Sequence, residues 1–437
     1  MTSIDPKAQG KGASVDLSAD ESAAPDLVAE SEQKQELDAK QRQELDAQKR
    51  ELDAGQKREL DERFMRGALE LAEAGRFSAR PNPVVGCVLV QFDPAAGYSA
   101  TGTIVGRGAH LKAGGPHAEV HALAAAGSRA RGSTAYVTLE PCAHFGRTPP
   151  CCDALIRAGV KRVVVASHDP NPQVSGEGVR RLEAAGVAVT SGVLAAEADA
   201  LNTGFLRTIS GGLPQVTLKI AMSLDGRVAM QSGESQWITG EAARSDVQTL
   251  RASAGAIITG SGTVLADDPR LSVRAVKGLS AEQIAELPPA LIVVVDRRGL
   301  SFSPDLNLLK GRSKIWWVVA PDHLARVQLV VDEAGRSGQV TVMPDLGLRE
   351  LLVALAKRAD VRDVLVEAGS GLSSAFLTEG LVDQLVMYQA PMLLGASARP
   401  CFSAEITSLS EAVRFGAPTL QVLGGDLKLC YQLGSLS

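Results

Sequence analysis

The chain has 437 residues, of which 45% are hydrophobic and 22% charged, and it carries a formal net charge of -5. That length suits two domains, and the composition is ordinary for globular proteins. The negative balance argues against a nucleic-acid-binding surface, and no run of about 18 apolar residues offers a membrane span. The first residues are polar and acidic, so no secretory signal is read there. Six cysteines in so long a chain do not make a disulfide framework, and a reduced, cytoplasmic protein is expected.

Residues 1–62 are rich in Ala, Asp, Glu, Gln and Lys and poor in aromatic and β-branched residues, a disorder-like composition. Within them a repeated ELDA unit spaces Leu37, Leu45, Leu52 and Leu60 by eight, seven and eight positions. One leucine per two helical turns is too narrow a stripe to bury firmly. Two readings stay open for this segment: a solvated helical or disordered extension, and a weak coiled-coil or partner helix.

Globular patterning begins at Arg63. FMRGALELAEAG reads as an amphipathic helix, with Phe64, Ala68, Leu71 and Ala72 on one face and Gly75 as its stop. Val84 to Val90 reads as a buried strand, Ala118 to Gly127 as a helix and Thr134 to Glu140 as a strand. A helix from about Asp153, the strand RVVVAS, a helix around Val179 to Ala185 and the strand VAVTSG follow. This alternation predicts a parallel or mixed sheet covered by helices. GFLRTISGGLPQ, with Gly211, Gly212 and Pro214, is read as a linker whose boundary lies at about 210–213. Beyond it VTLKIAMS, AIITGS, LIVVVD, KIWWVVA, QVTVMP and DVLVEAG are six strand-like runs. LGLRELLVALAKRA and SSAFLTEGL are the clearest helices, so the second unit is α/β as well. The expected organisation is an extension at 1–62 and globular units at 63–208 and 214–437.

The first chemical signal is PHAEVHAL followed by LEPCAHFGRTPPCCDAL. His117 opens a predicted helix, and Cys142 lies about 25 positions later, after a strand, with Cys151 beyond it. Two thiolates and an imidazole are a zinc donor set with one position left for water. Glu119, two residues from His117, can reach that water instead of the metal, which is the H-x-E…P-C arrangement of zinc deaminases. The competing reading is a closed structural zinc site, for which Cys152, His121 or His144 would supply a fourth donor, or a pair of buried thiols. Cys152 and Cys87 are read as packed thiols, and Cys401 and Cys430 as structural.

Most zinc nucleobase deaminases place two residues between their cysteines; here eight intervene. RPNPVVGCVLV, GRGAHLKAGGPHAEVHAL, LEPCAHFGRTPPC and HDPNPQVSGEGVRRLEAAGV resemble the riboflavin deaminase family in content and order, over residues 63–208. The resemblance implies a cytidine-deaminase-like three-layer α/β domain. It implies a phosphorylated aminopyrimidine substrate, 2,5-diamino-6-ribosylamino-4(3H)-pyrimidinone 5′-phosphate, that loses its 2-amino group. It also implies that Asn82, His110, Arg147, Asp169 and Asn171 line the pocket. Arg147 offers a forked donor to phosphate, and Asn82 a donor and an acceptor to a ring edge; a surface or capping role is the alternative for each.

No G-x-G-x-x-G opens the second unit, so an ordinary dinucleotide fold is not supported. Instead VLVE runs into Gly369-Ser370-Gly371 just before a helix, where small residues let backbone N–H groups approach a pyrophosphate. Lys219 and Glu367 stand in otherwise apolar strands, as a pair for proton handling or as a structural ion pair. VTLKIAMSLDGRVAMQSGESQWITG, LRASAGAIITGSGTVLADDPRLSVR and VLVEAGSGLSSAFLTEGLVDQLVMYQAPMLLG resemble the riboflavin reductase family over 214–437. The resemblance implies a dihydrofolate-reductase-like α/β domain that uses NADPH to reduce the ribosyl group to a ribityl chain. By the same resemblance Ala221, Trp237, Thr263, Asp267 and the loop Gly369, Ser370, Gly371, Leu372, Ser373, Ser374 and Ala375 contact NADPH. Ser235, Arg251, Leu271, Arg274 and Glu367 contact substrate, with the two arginines as phosphate ligands. Arg297, after VVVD, either holds the 2′-phosphate or points to solvent. Ala368, Gln384 and Met392 stand where the family usually has Gly, an acid and Lys.

The resulting expectation is one zinc per chain and NADPH, two consecutive reactions on one chain, no nucleic-acid or membrane partner, and a homo-oligomer. The alternatives are a nucleoside or nucleic-acid deaminase fused to an unrelated reductase, and a non-catalytic zinc- and nucleotide-binding protein.

Overall fold

The computed structural model describes residues 43, 54–93, 102–144, 149–171 and 175–433, and the chain separates into two units, 1–60 and 61–437. In the first unit residues 54–60 are helical; Leu37, Leu45 and Leu52 of the ELDA repeat lie outside the described residues. Helical residues 61–72 (α1) open the second unit. The globular chain starts earlier than the expected Arg63, because Asp61 is buried. Its carboxylate accepts from both Arg162 guanidinium nitrogens at 2.8 and 2.6 Å and from the Tyr136 hydroxyl at 2.9 Å.

The first sheet contains β1 (Gly86–Gln91), β2 (Thr103–Ala109), β3 (Thr134–Leu139), β4 (Arg162–Ser167) and β5 (Ala188–Ser191). Their order is β2-β1-β3-β4-β5; β1 is antiparallel to both neighbours, and β3, β4 and β5 are parallel. Strand alternation sends Cys87 and Leu89 to the face covered by α2 (Ala118–Ala126), α3 (Cys151–Ala158) and α4 (Glu177–Ala184). The opposite face meets α1, so the domain has three layers of the cytidine-deaminase kind. β2 escaped the sequence reading because Gly106, Arg107 and Gly108 interrupt its apolar pattern. Those glycines are contact points: a Cβ would fall 2.2 Å from the Ala122 carbonyl oxygen at Gly106 and 2.1 Å from that of Ala118 at Gly108. Without side chains there, α2 lies directly on the sheet, which sets the height of the residues at its start.

The expected linker is largely helical. After α5 (Ala195–Leu201), α6 (Thr203–Ile209) runs through its first half, and the chain turns only at Gly211, whose φ of +84° suits glycine.

The second sheet carries β6 (Gln215–Ser223), β8 (Ala256–Gly260), β9 (Leu291–Val295), β10 (Ile315–Val319), β11 (Val340–Pro344), β12 (Asp363–Glu367), β13 (Gln384–Ala390), β15 (Thr419–Leu423) and β16 (Asp426–Gln432). A small pair, β7 (Arg227–Ala229) with β14 (Arg399–Pro400), stands apart. The order is β11-β10-β9-β8-β12-β6-β13-β16-β15, parallel from β11 to β13 and antiparallel beyond. Ile258, Val293, Val318 and Val366 face one core with Leu352 and Leu355 of α11 (Leu348–Ala356) and Phe376 of α12 (Ser370–Thr378). Ile257, Ile292, Trp317 and Leu365 face the other core, with Val331 of α10 (Leu324–Glu333). Burial on both faces explains why these strands read as continuous apolar runs. The remaining helices are α7 (Glu241–Ser253), α8 (Ser261–Asp267) and α9 (Ala281–Glu286).

Candidate active sites

In the first domain His117 is the residue immediately before α2, in extended conformation, and Cys151 opens α3. Cys142 follows β3, and its sulfur accepts from the Cys151 backbone N–H at 3.3 Å. His117 Nδ1 lies 3.2 Å from the Cys151 sulfur and 3.6 Å from that of Cys142, and all three donor atoms fall within 4.8 Å of one another. Cys152, His121 and His144 stay outside this group, and Cys152 turns its thiol to the Asp153 carboxylate at 3.8 Å. The hydrogen bond between Cys142 and Cys151 lowers the Cys142 thiol to about 4 and raises Cys151 far above the ordinary thiol range. Two sulfurs and an imidazole nitrogen within 4.8 Å of one another fit a zinc ion as its donors. Glu119 is buried one residue into α2, and loss of water raises its carboxyl to about 7.

Next to this group, His110 Nδ1 donates to the Pro116 carbonyl at 3.0 Å, which leaves Nε2 to accept from the Asn82 amide at 3.0 Å. The two histidine rings, of His110 and His117, meet edge-on at 5.3 Å. Asp169 accepts from the Asn171 backbone at 2.9 Å in the loop after β4. Arg147 lies outside the described residues. A residue that the sequence reading passed over is Glu140, buried just before Pro141-Cys142. It accepts from the N–H groups of Gly176 and Gly178 at 3.1 Å each and from Val179 at 3.4 Å. It ties the Cys142 segment to the start of α4. A carboxylate at the end of an apolar strand, two positions from a metal-type cysteine, was the available signal.

The second site is a cavity of 770 Å³ at the carboxyl ends of β6, β8, β9 and β12, the usual ligand position in open α/β sheets. Ala221, Trp237, Thr263, Asp267 and Gly369 to Leu372 line it, as do Ser235, Arg251, Leu271, Arg274 and Glu367. Ser235 donates to Asp267 at 2.9 Å, so the expected substrate and cofactor groups meet. Gly369 and Gly371 have open space where a Cβ would stand, and no side chain caps α12. This exposed backbone fits a dinucleotide phosphate.

Three expectations change here, and Arg297 takes the second of its two readings. The expected loop 369–375 is a helix from Ser370. Ser373 donates to the Ala368 carbonyl and Ser374 accepts from the Ser403 N–H, while Ala375 packs on the core, so none of the three lines the cavity. Glu367 is paired with Arg251, at 2.6 and 2.9 Å, and not with Lys219. Lys219 is its register neighbour across parallel strands and makes no hydrogen bond to it. Burial raises the Glu367 carboxyl, but Arg251, with Lys219 and Arg274, holds it below its ordinary value; burial lowers Lys219. Arg251 therefore meets a carboxylate in this structure where the resemblance implied a phosphate. Arg297 is not among the cavity residues; its guanidinium donates to Asp345 at the surface.

Arg244, Gln248 and Arg251 line the cavity at helical spacing on α7. The Arg244 guanidinium lies 4.6 Å from the Trp237 ring centre, a cation–π contact. The i, i+4, i+7 polar stripe was the sequence signal for Arg244 and Gln248.

The fold and the two sites define a two-domain enzyme, a zinc-type deaminase region followed by an α/β reductase region. Residues 58–167 match the cytidine and deoxycytidylate deaminase zinc-binding region, and 214–428 match the RibD C-terminal domain. The chain is 44% identical over 381 residues to the riboflavin biosynthesis protein RibD of Escherichia coli, covering 84% of this chain and 98% of that one. It is 45% identical over 374 residues to that of Haemophilus influenzae, covering 84% and 96%. Among solved structures it resembles Acinetobacter baumannii RibD with a TM-score of 0.77 and 45% identity, covering 86% and 99%. It resembles a Thermotoga maritima diaminohydroxyphosphoribosylaminopyrimidine deaminase/5-amino-6-(5-phosphoribosylamino)uracil reductase with 0.73 and 32%, covering 86% and 99%. The chain belongs to the RibD family of riboflavin biosynthesis proteins: a bifunctional enzyme, with a zinc-dependent deaminase and an NADPH-dependent reductase on one polypeptide. Among the described residues no helix is long and apolar enough to cross a membrane.

Proposed function

We propose that residues 63–208, with Asp61 added, remove the 2-amino group of 2,5-diamino-6-ribosylamino-4(3H)-pyrimidinone 5′-phosphate by hydrolysis, and that residues 214–437 reduce the ribosyl group of the product. His117, Cys142 and Cys151 hold the zinc, which when bound supplies Lewis-acid activation of water. Glu119 moves the proton from water to the leaving amine, a role that suits a buried carboxyl at the start of α2, two residues from His117. Asn82 and His110, with Asp169, Asn171 and Arg147, bind and orient the substrate. NADPH would supply the hydride, and Gly369 to Leu372 would hold its phosphates through their backbone. Ala221, Trp237, Thr263 and Asp267 complete its site. Lys219 and the Arg251–Glu367 pair, with Ser235, Leu271 and Arg274, position the sugar and handle its proton.

The observation that carries this reading is the three-donor group beside a buried carboxylate, on the same chain as a cavity lined by the open backbone of Gly369 to Leu372. The test is a coupled assay with the diaminopyrimidine phosphate, zinc and NADPH. Ammonia release that precedes NADPH oxidation is expected; oxidation with no ammonia refutes it. A cytoplasmic location is supported by six free cysteines. A homo-oligomer is supported by the exposed edge strand β15, with Leu420 59% and Val422 63% accessible. Sedimentation of the holoenzyme tests the latter.

A further inference from the structure

The segment from Arg80 to Val84 carries Asn82; its first end is held by residues of the reductase domain, and its second by Asn202, which leads into the helix that joins the two domains. At one end the Arg80 guanidinium donates to the Ala254 carbonyl, just past the last turn of α7, and to the Pro288 carbonyl at 2.7 Å. At the other end Val84 is clamped by Asn202, which accepts from the Val84 N–H at 2.8 Å and donates to its carbonyl at 3.0 Å. Asn202 is buried and leads into α6. That helix in turn sits on the start of β12. Gly204 approaches the Arg362 carbonyl so closely that a Cβ would fall 2.4 Å from it, and Arg362 donates to Thr208 at 3.1 Å. Between the clamps, Asn82 donates to His110, next to His117.

We infer that Arg80 is a positioning residue for deamination: it uses the reductase domain as a template that fixes the Asn82 amide against the deaminase substrate. The inference rests on the reading of Asn82 as a substrate ligand. A guanidinium bridging two carbonyls from separate segments is a two-point strut, and a lysine cannot span both acceptors with the same fixed fork. Arg80 touches none of the zinc donors and does not line the reductase cavity. A substitution there that keeps the positive charge beside Asp363, Arg80→Lys, therefore reaches the deaminase site through the Asn82 segment.

The experiment uses the full-length zinc-loaded enzyme with Arg80→Lys, Asn82→Ala and the double variant. Each variant is assayed for KM and kcat of ammonia release, for zinc content, and for NADPH oxidation with deaminated substrate. Arg80→Lys should raise the deaminase KM about five- to tenfold, the loss of roughly one substrate hydrogen bond, with kcat within about twofold. Zinc content and reduction should stay at wild-type values. The double variant should be no worse than Asn82→Ala, because both changes remove the same contact. Wild-type deamination in Arg80→Lys overturns the inference. So does an additive double variant, and so does parallel loss of both activities, which would make the strut a general stability element. If Asn82→Ala itself deaminates normally, it is the reading of Asn82 that fails.

Discussion

Replacing Asp61 by alanine tests where the deaminase domain begins. The Asp61 carboxylate and the Arg162 guanidinium are joined at 2.6 and 2.8 Å, with side chains only 6% and 9% accessible. Removing one partner of a buried ion pair costs about 3–5 kcal/mol, because a charge stays behind out of water. About 1 kcal/mol of that belongs to the Tyr136 hydroxyl bond. For a domain of this size 1 kcal/mol lowers the melting temperature by about 3 °C, so Asp61→Ala should lose roughly 10 °C. The assay is heat inactivation followed separately for ammonia release and NADPH oxidation, and only the first should become labile. Deletion of residues 1–60 should leave both steady-state rates within about threefold, an effect below 1 kcal/mol, whereas deletion of 1–62 should behave like Asp61→Ala. A variant Asp61→Ala that unfolds within about 1 kcal/mol of wild type refutes the argument.

Cys142→Ala should lose nearly all zinc by metal analysis, while Glu119→Gln should keep zinc and lose ammonia release; retained turnover in Glu119→Gln removes its acid–base role. Lys219→Ala should abolish reduction and spare deamination, since Lys219 lines only the reductase cavity; loss of both activities in a folded variant counts against autonomous sites. The wild type should prefer NADPH to NADH, and Arg297→Ala should change that kcat/KM ratio by less than about twofold, because Asp345 already occupies the guanidinium. A tenfold fall in the ratio would restore Arg297 as the 2′-phosphate ligand.

Much of this protein was decided by its sequence. Apolar runs marked the buried strands of both sheets, since a strand covered on two faces admits little else. The H-x-E and Pro-Cys spacing singled out the three side chains that the fold brings within 4.8 Å of one another, because they stand on short segments at the start of helices and the end of a strand. Tertiary structure decided what depends on distant partners. Asp61 reads as part of an acidic tail until Arg162, a hundred and one positions away, is folded onto it. β2 reads as a loop until α2 rests on Gly106 and Gly108. Glu367 stands in register with Lys219, but its ion pair comes from α7, and nothing in either strand announces Arg251. Arg297 has the right chemistry in the right loop, and only the folded chain brings Asp345 to take it. Local patterns record which face of a segment is buried; which charge meets which is settled by packing, where a carboxylate pairs with the nearest cation that the fold desolvates beside it.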